Sequence, residues 1–194
     1  MALIYIHGFN SSPASLKSRQ TAEWLSLHYP DVPFHCPRLN NEPDKAIRQL
    51  QALVESAKRP VGLVGSSMGG YYATWLAEQY SLRAVLVNPA VMPYKLMLDY
   101  LGENANYHTG ERYVLEQKHV DEVHRLEVRT PLHRDRYWVL LQTEDEVLDY
   151  RQAEARYDGC RMTIEQGGDH SFQHFERFLP DIFDFLQLSP EIHE

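Results

Sequence analysis

Ser67 stands at the centre of Gly65-Ser66-Ser67-Met68-Gly69, with an apolar run before it and an amphipathic stretch behind it. Between a strand and a helix, a Gly-x-Ser-x-Gly string describes a nucleophile elbow. The serine then sits on a sharp turn with its hydroxyl exposed above a sheet. Glycines at 65 and 69 let strand and helix approach where a side chain would clash, and Gly70 extends the turn. Alone, the pentapeptide is a weak signal, because a plain strand-turn-helix yields the same string. A serine hydroxyl is also a weak nucleophile. It needs a base to take its proton and an acid to orient that base.

Two later loops offer those groups, in the chain order that accompanies such an elbow. The first is Gln142-Thr143-Glu144-Asp145-Glu146-Val147, and the second is Gly167-Gly168-Asp169-His170-Ser171-Phe172. Asp145 is the preferred acid, because Val147 two positions on suits a loop tucked back into the body. Glu144, Glu146 and Asp149 remain alternatives. His170 is the preferred base, since Gly167-Gly168 supplies a tight turn to carry it over the sheet. His119, His124 and His133 read as surface residues, and their spacing does not match a helical metal pair, so no metal or cofactor is expected. Two backbone N–H groups should receive an oxyanion. The Met68 amide follows the nucleophile at a helix N-terminus, and the Phe9 amide lies in His7-Gly8-Phe9-Asn10-Ser11-Ser12. His7 and Asn10 read as residues that hydrogen-bond that loop. Tyr71, Met92, Tyr94 and Met97, with Phe9 and Met68, are candidates for an apolar substrate pocket, although such residues at helical spacing more often pack a core.

The elements that must position these groups alternate along the chain. Apolar runs at 3–6, 32–36, 61–64, 84–87, 137–141 and 162–165 read as about six strands. Between them lie helical patterns at 16–28, where Trp24, Leu25 and Leu27 are available for packing, and at 43–58, with Ala46, Ile47, Leu50, Leu53 and Val54 three and four apart. Another follows the elbow, and residues 172–188 read as a final helix interrupted near Pro180. Near-continuous apolar strands alternating with helices imply a mainly parallel sheet with helices on both faces. Residues 89–136 are longer than a crossover needs. They read as a helical cap or lid, with a polar stretch at 102–110 and a helix around 113–126. A pair of packing helices without a gating role is the alternative.

Composition bounds the rest. The chain has 194 residues, of which 43% are hydrophobic and 24% charged, as in an ordinary single globular domain. A formal net charge of −8 argues against a general nucleic-acid binder. Cys36 and Cys160 form no disulfide framework or zinc ribbon. No apolar run approaches membrane-spanning length, and the first strand leaves no room for a signal peptide, so a cytoplasmic setting is expected. Nothing in the sequence sets the oligomeric state.

Taken together, these strings resemble the α/β-hydrolase superfamily, and more narrowly the small YqiA-type esterases of bacteria. The resemblance rests on residues 5–13, 62–76, 145–151 and 167–172, and on Val87-Asn88-Pro89-Ala90. It implies a three-layer α/β-hydrolase fold without leading antiparallel strands. It also implies hydrolysis of carboxylic esters, including acyl thioesters, with Ser67, Asp145 and His170 as the triad and no cofactor. An amidase or peptidase of the same fold is the alternative within catalysis. A non-catalytic binding module is the alternative outside it, and a complete triad weighs against that.

Overall fold

In the computed structural model, residues 1–106 and 109–188 are described. The apolar runs become β1 (Ala2–Ile6), β2 (Phe34–His35), β3 (Val61–Ser66) and β4 (Arg83–Val87). Between them lie α1 (Leu16–His28), α2 (Pro43–Ser56) and α3 (Met68–Tyr80). After β4 come α4 (Pro93–Met97), β5 (Gly102–Ala105), β6 (Arg112–Leu115) and α5 (Gln117–His124). The chain closes with β7 (Tyr137–Gln142), α6 (Tyr150–Arg156), β8 (Arg161–Glu165) and α7 (Leu179–Phe185).

Six strands form one sheet in the order β2-β1-β3-β4-β7-β8. Every pairing in it is parallel. This is the three-layer α/β arrangement the alternation requires. Because side chains alternate across a strand, the sheet divides its core in two. Ile4, Ile6, Leu63, Leu86 and Val139 pack with α2, α3 and α5 on one face. Leu3, Tyr5, Val64, Val85 and Trp138 pack with α1 and α7 on the other. Both faces are covered, so β1, β3 and β7 are buried along their whole length. The registers Ile6↔Gly65, Ser66↔Val87 and Gln142↔Glu165 bring the carboxyl ends of the central strands level. Open parallel sheets bind ligands at that edge.

Three expectations differ from the structure. Residues 89–136 are mixed rather than helical. They hold α4, a 3-10 turn at Leu98–Tyr100, the antiparallel hairpin β5–β6, α5 and a second 3-10 turn at Arg134–Arg136. The helix expected around 113–126 starts only at Gln117, because Glu116 caps it. The Glu116 side chain accepts the His119 amide, and the Glu116 amide donates to His119 Nδ1 at 3.0 Å. The residues before the cap pair as a strand. Secondly, Leu27 is 74% exposed, and α1 buries Ser18, Thr21 and Leu25 instead. Its inward stripe is mostly polar, so hydropathy misjudged which side faces the sheet. Thirdly, the final segment is a 3-10 turn (Phe175–Phe178) followed by α7, whose first turn holds Pro180. No helix among the described residues is long and apolar enough to cross a membrane.

Candidate active site

Ser67 occupies the turn between β3 and α3 with φ 56° and ψ −122°. A non-glycine residue held there is strained, and the surrounding close packing has to enforce it. A Cβ on Gly69 would lie 1.9 Å from the Ile6 carbonyl oxygen, and one on Gly65 would lie 2.4 Å from that of Gly69. Only glycine lets α3 press onto β1 and β3 at these points. The turn is fixed further by the Ser67 amide, which donates to Val87 O at 3.0 Å, and by its carbonyl, which accepts from Gly70 and Ala90 at 3.0 Å each.

The loops after β7 and β8 bring Asp145 and His170 to this serine. His170 Nε2 lies 3.1 Å from Ser67 Oγ. His170 Nδ1 lies 2.8 Å from Asp145 Oδ2 and 3.0 Å from Oδ1. A carboxylate only accepts, so Nδ1 carries the ring proton and Nε2 presents a lone pair to the serine O–H. The Asp145 side chain is 2% exposed. Its Oδ1 also accepts the Val147 and Leu148 amides at 2.9 and 2.8 Å, which keeps the buried carboxylate solvated by N–H groups. The competing acids have other partners: Glu146 accepts the His170 amide at 2.9 Å, and Asp149 caps α6 through the Arg151 amide at 3.1 Å. Glu144 is exposed.

Two side chains that the sequence did not single out hold the histidine loop. Asn88 is 2% exposed and donates through Nδ2 to the carbonyls of Asp169 and His170 at 3.0 and 3.2 Å. Its Oδ1 accepts the Gln142 amide at 3.1 Å. Gln142 in turn accepts the Asp169 and Gln173 amides through Oε1 at 3.2 and 2.8 Å. Both are polar residues ending otherwise apolar strands, which was the available signal. The closeness of Gln142 also leaves room only for glycine at 168, where a Cβ would lie 2.0 Å from Oε1.

The loop after β1 closes the other side. A Cβ on Gly8 would lie 3.2 Å from Ser67 Cβ, so this loop passes directly against the serine. Among the described residues, the amides of Phe9 and Met68 donate no hydrogen bond. Met68 opens α3, where the helix dipole favours negative charge. His7 is 4% exposed, with Nε2 accepting the Leu39 amide at 3.3 Å, so it braces the loop. Residues 89–136 reach this loop through Tyr113, whose hydroxyl donates to Asn10 Oδ1 at 2.6 Å, and through Asn106 Nδ2, which donates to Ser11 O at 2.9 Å. Phe9 packs edge-on against Tyr100 and Tyr113.

A cleft of about 360 Å³ lies over Ser67 and His170, between Phe9 and the start of α1. Tyr71, Met92, Tyr94 and Met97 do not line it. Tyr71 is buried, and its hydroxyl donates to Val123 O at 2.8 Å. Tyr94 stacks on His124 and bonds Glu127. Met92 packs partly buried against the core, and Met97 lines a small recess on the far side of Phe9 with Met68 and Tyr72. His119, expected at the surface, is 4% exposed. Among the described residues, no three His, Cys, Asp or Glu side chains form a group that could hold a metal.

A sequence profile described as "Uncharacterised protein family (UPF0227)" matches residues 2–187. The UPF0227 protein YcfP of Salmonella paratyphi A is 24% identical over 193 residues, covering 96% of this chain and 99% of the relative. The YcfP protein of Salmonella arizonae is 29% identical over 200 residues, with the same coverage. Among solved structures, Est1E from Butyrivibrio proteoclasticus, with ferulic acid bound, superposes with a TM-score of 0.74 at 16% identity, covering 96% of this chain and 88% of that one. The mouse alpha/beta hydrolase domain-containing protein 10 gives 0.71 at 16% identity, covering 97% and 90%. The fold is therefore that of the α/β hydrolases.

Proposed function

The chain belongs to the UPF0227 family, and from that premise we propose that it is a serine esterase acting on carboxylic esters, with acyl thioesters as their closest chemical relatives. The observation that carries this is the hydrogen-bonded series Ser67 Oγ, His170 and Asp145 at the ends of three strands of one sheet. His170 Nε2 takes the proton from Ser67 Oγ as the oxygen attacks the ester carbonyl. The Met68 and Phe9 amides receive the oxyanion. Asp145 holds Nδ1–H in place and stabilises the imidazolium. The imidazolium then protonates the leaving oxygen or sulfur, and water releases the acyl group from Ser67 by the same path. Residues 89–136 act as a cap over the Phe9 side of the cleft, which the Tyr113–Asn10 and Asn106–Ser11 bonds support.

The test is Ser67→Ala, assayed with a chromogenic short-chain ester and with a fluorophosphonate probe. Turnover should fall at least about 10³-fold, and labelling should disappear. A labelled Ser67→Ala protein overturns the proposal.

A further inference from the structure

Lys17 supplies a cation to the wall of the cleft that holds Ser67 and His170. It lies in the first turn of α1, and its Nζ donates to the carbonyl of Ser171 at 2.6 Å. That carbonyl belongs to the residue directly after His170. An ammonium has three N–H donors, so this bond occupies one of them. Among the described residues, no carboxylate oxygen comes within the 4.0 Å of an ion pair with Lys17. The side chain is nevertheless partly buried. A cation drawn out of bulk water without a paired anion is costly to the free protein unless it meets a charge in use.

Apart from the carboxylates of Asp169 and Asp145, the neighbouring groups are also donors. Ser15 Oγ lines the same cleft and is buried with no partner among the described residues. It does not cap α1, whose first turn contains no acidic residue. The amides of Leu16, Lys17 and Ser18 have no acceptor among the described residues. This wall therefore offers an ammonium to whatever enters, with an unpartnered buried hydroxyl and helix N-terminal amides beside it.

The position of the wall assigns it a part of the substrate. His170 returns its proton to the leaving group, so the His170 side of the cleft receives that group. A smaller recess beyond Phe9, lined by Met68, Tyr72 and Met97, contains neither Ser67 nor His170. We propose that Lys17 selects esters whose leaving alcohol carries a carboxylate, bound by Lys17 Nζ beside the scissile bond. The inference rests on the serine-esterase proposal and names a substrate class for it. Burial lowers the Lys17 pKa to about 8, opposed by the facing carboxylates of Asp169 and Asp145. Its charge is thus full at pH 6.5 and lost as the pH rises through about 8.

The experiment compares kcat/KM for 4-nitrophenyl butyrate, for its 3-carboxy-4-nitrophenyl analogue, and for mono(4-nitrophenyl) glutarate, which puts the carboxylate on the acyl side. Lys17→Met should lower the ratio of carboxylated to neutral leaving group by roughly tenfold or more, as for one charge-assisted hydrogen bond. Lys17→Arg should keep most of that ratio, while the acyl-side ratio moves less. In the unmodified protein, the same ratio should fall between pH 7 and pH 9.5, an arm that needs no variant to fold. A Lys17 that only tethers the His170 loop changes both esters equally. An unchanged ratio in both arms therefore overturns the inference, as does a shift confined to the glutarate ester. Turnover of the neutral ester that survives Ser67→Ala strikes the esterase proposal instead, so the two failures are distinct.

Discussion

The loops that carry Ser67, Asp145 and His170 and the segment packed behind the Phe9 loop are held by different forces. Ser67, Asp145 and His170 hang from the ends of β3, β7 and β8, and their loops are tied by main-chain bonds. The Thr143 amide donates to Glu165 O at 2.9 Å, and the Glu144 amide donates to Gly167 O at 3.1 Å. Behind them, Asn88 and Gln142 are fully used and buried. The segment between β4 and β7, packed against the Phe9 loop, instead reaches that loop with side chains: one tyrosine hydroxyl, one asparagine amide and two aromatic edges. It also leaves Leu96, Leu98, Tyr100, Leu101 and Val114 exposed. Backbone bonds resist single substitutions, and side-chain contacts do not. The difference teaches that the Ser67, Asp145 and His170 loops are set by the sheet, while the segment packed behind the Phe9 loop is open to tuning residue by residue.

The largest effect that tests this contrast is on rate. Asp145→Asn keeps the shape of the loop, but the new amide must present its NH₂ either to His170 Nδ1 or to the Val147 and Leu148 amides. If its oxygen stays on those amides, the NH₂ faces Nδ1 and drives the imidazole to the wrong tautomer. We expect kcat to fall by about 10²- to 10⁴-fold with little change in KM, measured by steady-state ester hydrolysis. Full activity in Asp145→Asn would return the acid role to one of the neighbouring carboxylates.

The next effect is on stability. Gly69→Ala sets a methyl against the Ile6 and His7 carbonyls, which belong to β1 and its loop and cannot swing aside. A loss of about 3 kcal/mol or more is expected, lowering the Tm by on the order of 10 °C. An unchanged Tm would mean that the β3–α3 corner yields, and the contrast between a rigid and a tunable side would collapse.

The same contrast explains what the sequence disclosed. The meeting of Ser67, Asp145 and His170 was legible because each sits in a short string with its own turn chemistry, the first two after strands buried along their whole length. β6 was not legible. Arg112-Tyr113-Val114-Leu115 exposes its alternate residues and borders a helix, so its pairing with β5 depends on the hairpin closing. Nor was the buried stripe of α1, where Thr21 Oγ1 donates to Lys17 O at 2.7 Å and so hides a polar residue in the core. Lys17 was beyond reach for a simpler reason. Its partner Ser171 lies 154 positions away, and nothing local announces the meeting.

The smallest expected effect falls on the tunable side. Tyr113→Phe removes the hydroxyl that donates to Asn10 Oδ1 but keeps the ring against Phe9. Asn10 is 6% exposed and holds φ 53°, so its orphaned oxygen has little water to turn to. The cost should be about 1 kcal/mol, or a Tm shift of roughly 2–4 °C, read by thermal melting. Because the Phe9 amide is carried on the same loop, kcat should fall only a few-fold, and substrates of different size should respond unequally. A loss as deep as that of Asp145→Asn would make this tyrosine part of the reacting centre. A uniform few-fold loss across substrates would instead mean that Tyr113 sets the loop and leaves the shape of the wall alone.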